Sequence, residues 1–523
     1  MRQYEMFELT FDGPEPEGSR ALVDCGAEFT LAGETKRVSG VYAGDGQYKV
    51  RFYPSGTGTC RWKAWGVISG EGEELCEPSE CREAADAMSG GPDGNPHGIV
   101  HPAGRHFKFE DGTWYRPFGT TVYAMVHQEK ALVDTTMETL RKSPFNKVRF
   151  CVFPKHYDFN HNDPEYYPFE KAEGKWDVHR PVAAYWEALE GRIRELDACG
   201  IQGDLILFHP YDRWGFSKFS KEDSLVYLDY LLRRLSAMPN LWWSLANEYD
   251  LMPNYTWEDW ADFARFVAEH DPYGHCLSNH NCMAYWDFNQ KEITHCCIQD
   301  VNVNEVPELW EQYDKPAVFD ECRYEGNIIH PWGNLSGKEL SRRFWTAVCC
   351  GGYCTHGETF YSQDEVLWWA KGGVLKGESP ARIAFLRGIM EELPGPLDFQ
   401  GEGIGFLTAT QLTDMKENGA PQEVRNNFFA MAMLNLPKER IRPFVAKERT
   451  ALGHCGQQAY LKFLERQCAA LTELRLPEEG SYRVEVIDTW EMTRKVVMEN
   501  VNGTIEVELP GKEDMAVLAV RTE

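Results

Sequence analysis

The sequence predicts an α/β fold: a (β/α)8 TIM barrel with a β-sandwich at each end. Three observations predict it. The chain has 523 residues, more than one ordinary domain holds. Its middle alternates strand and helix patterns eight times, and both flanks carry short β-rich runs broken by Gly, Asp, Ser and Pro. The expected divisions are residues 1–95 for an N-terminal β-sandwich, 96–395 for the barrel and 396–523 for a C-terminal β-sandwich with a connecting helical segment.

In the first division the runs are Phe29 to Leu31, Arg37 to Tyr42, Gln47 to Tyr53 and Cys60 to Ile68, and Ala43-Gly44-Asp45-Gly46 signals a hairpin between the middle two. Ser89 to His97 (SGGPDGNPH) reads as a linker. The barrel's strand candidates follow in order: Arg116 to Val122, Lys147 to Phe153, Gly203 to Phe208, Leu241 to Ala246, His275 to Ser278, Ile293 to Ile298, Ala317 to Asp320 and Gly351 to Thr355. Between them, stretches such as Ala184 to Cys199, Ser224 to Met238, Trp257 to His270, Lys338 to Cys350 and Ala381 to Leu393 repeat apolar residues at helical spacing. A doubly wound sheet would place a Gly-rich phosphate turn after the first strand, and Gly119-Thr120-Thr121 is not one. In the last division a helix around Val424 to Leu436 precedes strands at Tyr482 to Val486, Thr493 to Glu499, Thr504 to Leu509 and Ala516 to Val520.

Composition narrows the function. At 43% hydrophobic and 13% aromatic the chain can bury large cores, which excludes wholesale disorder. A net charge of −27 repels nucleic-acid phosphates and anionic lipid, so neither is an expected partner. It leaves symmetric homo-oligomers open. No run approaches the ~18 to 20 apolar residues of a membrane span. Met1 to Phe11 lacks the basic-then-apolar order of a secretory signal, and the sixteen cysteines are scattered without a CxxC. The expectation is free thiols in a reducing cytoplasm.

Barrel chemistry sits beyond the carboxyl ends of the strands. There the sequence places Asn247-Glu248 after strand four and Glu321 after strand seven. One acidic residue after a strand is unremarkable in a chain with 81 Asp and Glu. Two across one mouth are what glycoside hydrolysis requires: one carboxyl protonates the leaving oxygen, and the other attacks the sugar or activates water. An Asn before the acid can bond the sugar 2-hydroxyl. The expected substrate is therefore an oligosaccharide or glycoside.

Longer motifs carry a family resemblance. VSGVYAGDGQYKVRFYPSGTG (38–58), FEDGTWYRPFGTTVYAM (109–125), DECRYEGNIIHPWGNLSG (320–337), GGYCTHGET (351–359) and WWAKGGVLKGESPARIAFLR (368–387) resemble the clan A, cellulase-like retaining glycoside hydrolases. Within that clan they are most similar to hydrolases with an N-terminal sandwich of unknown function, an apiosidase-like barrel and a C-terminal sandwich. The resemblance implies double displacement with Glu248 as acid/base and Glu321 as nucleophile. It also implies a β-D-glycoside or α-L-arabinofuranoside substrate. Exo action is expected, because the long loop His156 to Pro181 could wall off one end of the cleft.

Around the pair, Arg149 on strand two is expected to hold the nucleophile ionised. His209 (strand three), His356 and Glu358 (strand eight), and Tyr324, Glu325 and Trp332 after Glu321 are expected to line the pocket. Trp368 and Trp369 could supply a stacking platform, with one of them in the core. Asn279 and His280 after strand five, and Gln299 and Asp300 after strand six, are further candidates; Gln299 departs from the His or Tyr that often closes strand six in the clan. Without HExxH or paired Cys/His spacing, no metal and no cofactor are expected, and the absence of GxSxG excludes a serine-hydrolase elbow. The rival readings are a carbohydrate-binding protein that has lost catalysis, and a transglycosylase using the same carboxylates.

Overall fold

The computed structural model describes residues 1–79, 96–400, 407–447 and 449–523. Most of the expected linker Ser89 to His97 lies outside the described residues. Two antiparallel sheets form the N-terminal sandwich. One joins Phe7–Asp12, Gln47–Phe52 and Val41–Gly44, and the other joins Glu34–Ser39, Cys25–Leu31, Gly58–Gly66 and Glu71–Cys76. Phe29 stacks on Phe52 between them, with ring centroids 4.3 Å apart. The run read as one strand, Arg37 to Tyr42, is instead cut at Gly40 and shared between the two sheets. A chain that changes sheets at one residue keeps its β-rich composition, so the break is invisible to alternation.

The barrel strands are Gly119–Thr121, Lys147–Cys151, Gln202–Phe208, Leu241–Ala246, Cys276–Ser278, Cys296–Gln299, Ala317–Glu321 and Tyr353–His356, here strands one to eight. They pair in parallel, with strand one between two and eight and strand seven between six and eight. Strand one runs close to strand eight because Gly119 lacks a side chain; a Cβ there would lie 2.5 Å from Thr355 Oγ1. The seam between strands five and six is held by Thr294 N donating to Leu277 O at 2.8 Å, and by Ser278 Oγ donating to His295 O at 2.6 Å. Helices over Ala183–Asp197, Lys221–Leu235, Trp257–His270, Gly337–Cys349 and Ser379–Glu391 match the expected stretches to within a few residues. Lys130–Lys142 and Val306–Tyr313 add two that sequence reasoning did not name.

A three-stranded sheet, Val100–Ala103, His106–Phe109 and Trp114–Tyr115, closes the barrel floor, with Phe107 and Tyr115 packed on Trp242, Val318 and Tyr353. Above that floor the interior is ionic. Lys147 Nζ lies 2.5 Å from Asp204 and 2.7 Å from Asp320, all buried, and Thr355 donates to Asp320 at 2.6 Å. Buried charges at these distances compensate one another, whereas an isolated one would be expelled or neutralised.

The C-terminal unit holds a six-stranded sheet packed with a hairpin-like pair, Leu471–Arg475 and Thr504–Glu508. Its inner residues Leu461, Phe463 and Ala516 continue the barrel's own core. The single connecting helix expected around Val424 to Leu436 is corrected to a cluster of helices, Ala409–Asn418, Gln422–Arg425, Phe428–Leu434 and Lys438–Lys447, with a small core around Leu412, Met433 and Ile441. Both flanking units dock through ions: Arg51 clamps Glu190 on a barrel helix with two 2.8 Å bonds, and Arg342 meets Asp514 and Glu513.

Candidate active site

Strand four ends at Ala246, and the next two residues turn sharply. Asn247 N donates to Phe208 O at 2.9 Å, and Glu248 takes a left-handed conformation with φ 59°. A non-glycine residue in that region is costly and persists where the surroundings hold it. Here the turn aims the Glu248 side chain into the mouth, where Tyr211 donates to Oε2 and Asn247 Nδ2 donates to the same oxygen at 3.1 Å. Glu321 closes strand seven. Tyr123, two residues past strand one, donates to its Oε1 and also lies 3.0 Å from Asn247 Oδ1 and 3.4 Å from the Tyr324 hydroxyl.

Gln299 ties the two acids together. With its amide turned so that nitrogen faces the carboxylates, the orientation that satisfies both ends of the group, Nε2 lies 3.2 Å from Glu248 Oε1 and 3.2 Å from Glu321 Oε2. Asn281 steadies Gln299 through paired backbone contacts of 3.1 and 3.2 Å. The departure from His or Tyr at this position thus keeps a donor toward Glu321 and extends it to Glu248.

Burial raises Glu321 to about 7, and the Glu248 charge adds to the rise, while Arg149, the Tyr123 hydroxyl and Lys155 pull the other way. Glu321 therefore ionises near neutrality instead of in the ordinary carboxylate range. Arg149 is fully buried beneath the mouth, its Nε 3.4 Å from Asp204 and its Nη2 3.3 Å from Ser244. Its effect on Glu321 is through charge, and its near partner, Asp204, is on strand three.

Tyr324 lies against Gly357, where a Cβ would come 2.3 Å from its ring. Trp332 is half-buried and meets Tyr324, Trp369 and His330, the last at 5.2 Å and nearly parallel. Asp300 accepts from Tyr285 at 2.6 Å, on the outer side of the strand-six loop.

Several expected pocket residues already have partners of their own. His209 is buried, and its Nε2 bonds Phe153 O at 3.1 Å. His356 is buried against Phe145, with Nδ1 2.9 Å from Thr120. Glu358 accepts from the backbone N–H groups of Lys376 and Gly377 at 2.6 and 2.9 Å, and Glu325 accepts from Glu378, Ser379 and the Ser379 hydroxyl. These acids strap the loop that starts the last barrel helix. Glu325, His356 and Glu358 bring ligand atoms within 4.8 Å of one another, but those backbone donors already occupy the carboxylate oxygens. Both Trp368 and Trp369 are buried, so neither is an open platform: Trp368 donates to Thr120 at 2.8 Å, and Trp369 packs on Tyr123, Tyr157 and Trp332. Asn279 and His280 are fully buried below the mouth.

Sequence reasoning missed Tyr123, Tyr211 and Lys155. Each lies within four residues of a strand's carboxyl end, the signal that picked out the acids. Tyr and Lys are common enough that strand-end position alone did not single them out.

The comparisons agree with this fold. Residues 101–391, more than half of the chain, match the model of the apiosidase-like catalytic domain. The chain belongs to the apiosidase-like family. Residues 1–65 match a domain of unknown function, DUF5060, and residues 449–520 match another, DUF5605. A crystal structure from Bacteroides vulgatus, titled a "putative glycoside hydrolase", is 30% identical with a TM-score of 0.83, covering 100% of this chain and 99% of that one. A glycoside hydrolase family 5 structure from the same organism is 14% identical with a TM-score of 0.60, covering 82% and 93%, a likeness of fold. No curated protein matches the chain.

Proposed function

We propose that this apiosidase-like glycosidase is a retaining enzyme in which Glu321 is the nucleophile and Glu248 the acid/base. The observation that carries the reading is the single Gln299 nitrogen within 3.2 Å of both carboxylates. Their two oxygens are therefore separated by at most twice that distance, below the ~6.5 Å at which inverting pairs begin. That spacing favours direct attack on the sugar by one of the acids.

The roles follow from the charges. Arg149 and Lys155 both lower Glu321, and the Tyr123 hydroxyl supports its anion. In these roles Glu248 protonates the leaving oxygen while Glu321 attacks the anomeric carbon. In the second half, Glu248 takes a proton from water, and that water displaces Glu321. Gln299 and Asn247 keep the acids aligned through both halves.

Exo action is supported by the enclosure of the pair. Glu248 is 6% exposed, and the loop after strand two folds a hairpin, Phe169–Ala172 with Lys175–Pro181, that packs through Trp176 on Phe216 beside the mouth. The fifteen described cysteines are unbridged, which supports a reducing, cytoplasmic setting for small imported glycosides. Among the described residues no helix is long and apolar enough to cross a membrane.

The test is hydrolysis of a panel of aryl glycosides by wild type, Glu248→Ala and Glu321→Ala, with and without azide. Retention predicts that azide rescues Glu248→Ala and yields a glycosyl azide of unchanged anomeric configuration, with Glu321→Ala inactive. An inverted azide product from Glu248→Ala, with a retained one from Glu321→Ala, would reverse the assignment.

A further inference from the structure

Lys155 follows strand two, is 4% exposed, and points its ammonium into a ring of aromatic faces. Nζ lies 3.6 Å from the centroid of Tyr123, 4.5 Å from those of Tyr211 and Trp369, and 5.7 Å from that of Tyr157. Two of those rings, Tyr123 and Tyr211, are the ones whose hydroxyls donate to Glu321 and Glu248. Among the described residues Nζ has no hydrogen-bonded acid. Ring faces attract a cation through their quadrupole and leave its charge unneutralised. The charge therefore acts on whatever acids stand nearby.

Those neighbours come from every wall of the mouth. Glu321 from strand seven and Glu248 from strand four both act on Lys155, together with Arg149 and Cys151 of strand two. His209 beyond strand three also feels it. Arg149, the other cation, is held 3.4 Å from Asp204, so part of its charge is answered below the mouth.

We propose that Lys155 is the positioning residue of the carboxylate pair: its caged, unpaired charge favours the ionised form of Glu321, the form in which that acid can attack the sugar. The inference rests on the roles proposed above for the two acids. Burial lowers Lys155 itself to about 8, with Glu321 and Glu248 among the groups opposing the drop, so it is charged as Glu321 ionises near about 7. The phenols serve two purposes: each donates its hydroxyl to an acid and offers its face to the cation that orders the pair.

The test uses Lys155→Met, which keeps length and packing, and Lys155→Arg, which keeps the charge, both checked for thermal unfolding. The Glu321 carboxyl is titrated by infrared difference spectroscopy with Glu321→Gln as reference, and the acid limb of kcat/KM is measured alongside. An opposite charge at close range lowers a carboxyl by about 1 to 3 units. Lys155→Met should therefore raise the Glu321 titration and the acid limb together by about a unit, and Lys155→Arg should restore both. An unmoved titration in folded Lys155→Met overturns the inference, as does a Lys155→Arg variant shifted as far as the Met variant. Should Lys155→Met not fold, wild type still decides: the Glu321 carboxylate band must respond as Lys155 deprotonates near about 8, and a band that is flat there overturns the proposal. A shifted titration with full activity in Glu321→Ala would support the coupling and overturn Glu321 as nucleophile. An unmoved titration with Glu321→Ala inactive would overturn the coupling alone.

Discussion

Asn247 donates its side-chain amide to Glu248 Oε2 at 3.1 Å, from the residue directly before it in the chain. The other end of that amide shares, at 3.0 Å, the single hydroxyl proton that Tyr123 gives chiefly to Glu321. One neutral group thus links the hydrogen bonds of both acids. A hydrogen bond to a charged group is worth about 1.5 to 3 kcal/mol, so Asn247→Ala should lower kcat/KM about ten- to a hundredfold. Asn247→Asp should be worse, because it adds a third negative charge. Steady-state kinetics on the aryl glycoside that wild type prefers would check both, and equal losses in the two variants would argue against the linking role.

The acid limb of the pH–rate profile should fall near about 7, the value to which burial and the Glu248 charge raise Glu321. The nucleophile must be ionised, so activity is lost as pH falls through that value. Tyr123→Phe removes a donor that favours the anion. The limb should move to higher pH, with kcat at the optimum reduced by about tenfold for a lost charged hydrogen bond. A limb that stays in place in Tyr123→Phe would mean that another group sets it.

The fold and both acids were legible in the sequence for one reason: strand ends are marked by a change from apolar to polar residues, as at LWWSLA-Asn247 and AVFD-Glu321. What surrounds the acids was not legible. His209 and Glu358 stand at strand ends just as Glu248 does, yet backbone groups that pattern cannot locate engage them: the Phe153 carbonyl in one case, the Lys376 and Gly377 amides in the other. Conversely, Tyr211 acts on Glu248 from a loop, and only the tertiary fold brings it there. The helical cluster over 409–447 was compressed to one helix because its segments are short and its Pro443 breaks the period.

The N-terminal sandwich is pinned by Arg51, whose guanidinium reaches Glu190 while Arg234 reaches the same acid from within the barrel. Burial works against the Glu190 charge, but the two guanidiniums outweigh it and lower the acid to about 2. Its folded value is below its unfolded one, so the stabilisation is complete above about 4.5 and disappears as pH falls toward 2. Glu190→Gln strands two buried cations and should cost about 3 to 5 kcal/mol at neutral pH. Arg51→Met leaves Glu190 paired with Arg234 and should cost less. Urea unfolding of the two variants would give the order, and the reverse order would place the main contact elsewhere.

Glu358 tests the strap reading with the opposite sign. Burial, and to a lesser degree the neighbouring Glu325 charge, raise it from an ordinary 4.5 to about 7, although two backbone N–H groups favour its anion. The native state therefore binds this proton more tightly than the unfolded chain does. That contribution is complete below about 4.5 and is lost as pH rises through about 7. Glu358→Gln cannot ionise, so the part of the fall in Tm between pH 5 and 8 that belongs to this group should vanish in the variant. The loop from Lys376 to Ser379 should stay in place, because the Gln oxygen can still accept one of the two N–H groups and Glu325 holds the other side. Activity at the optimum should then change by less than about threefold, a difference of well under 1 kcal/mol. Thermal unfolding across that pH range, with kcat measured on the same samples, separates the two roles. An unchanged slope would remove Glu358 as the titrating group, and a loss of activity as deep as that of Asn247→Ala would return it to the pocket.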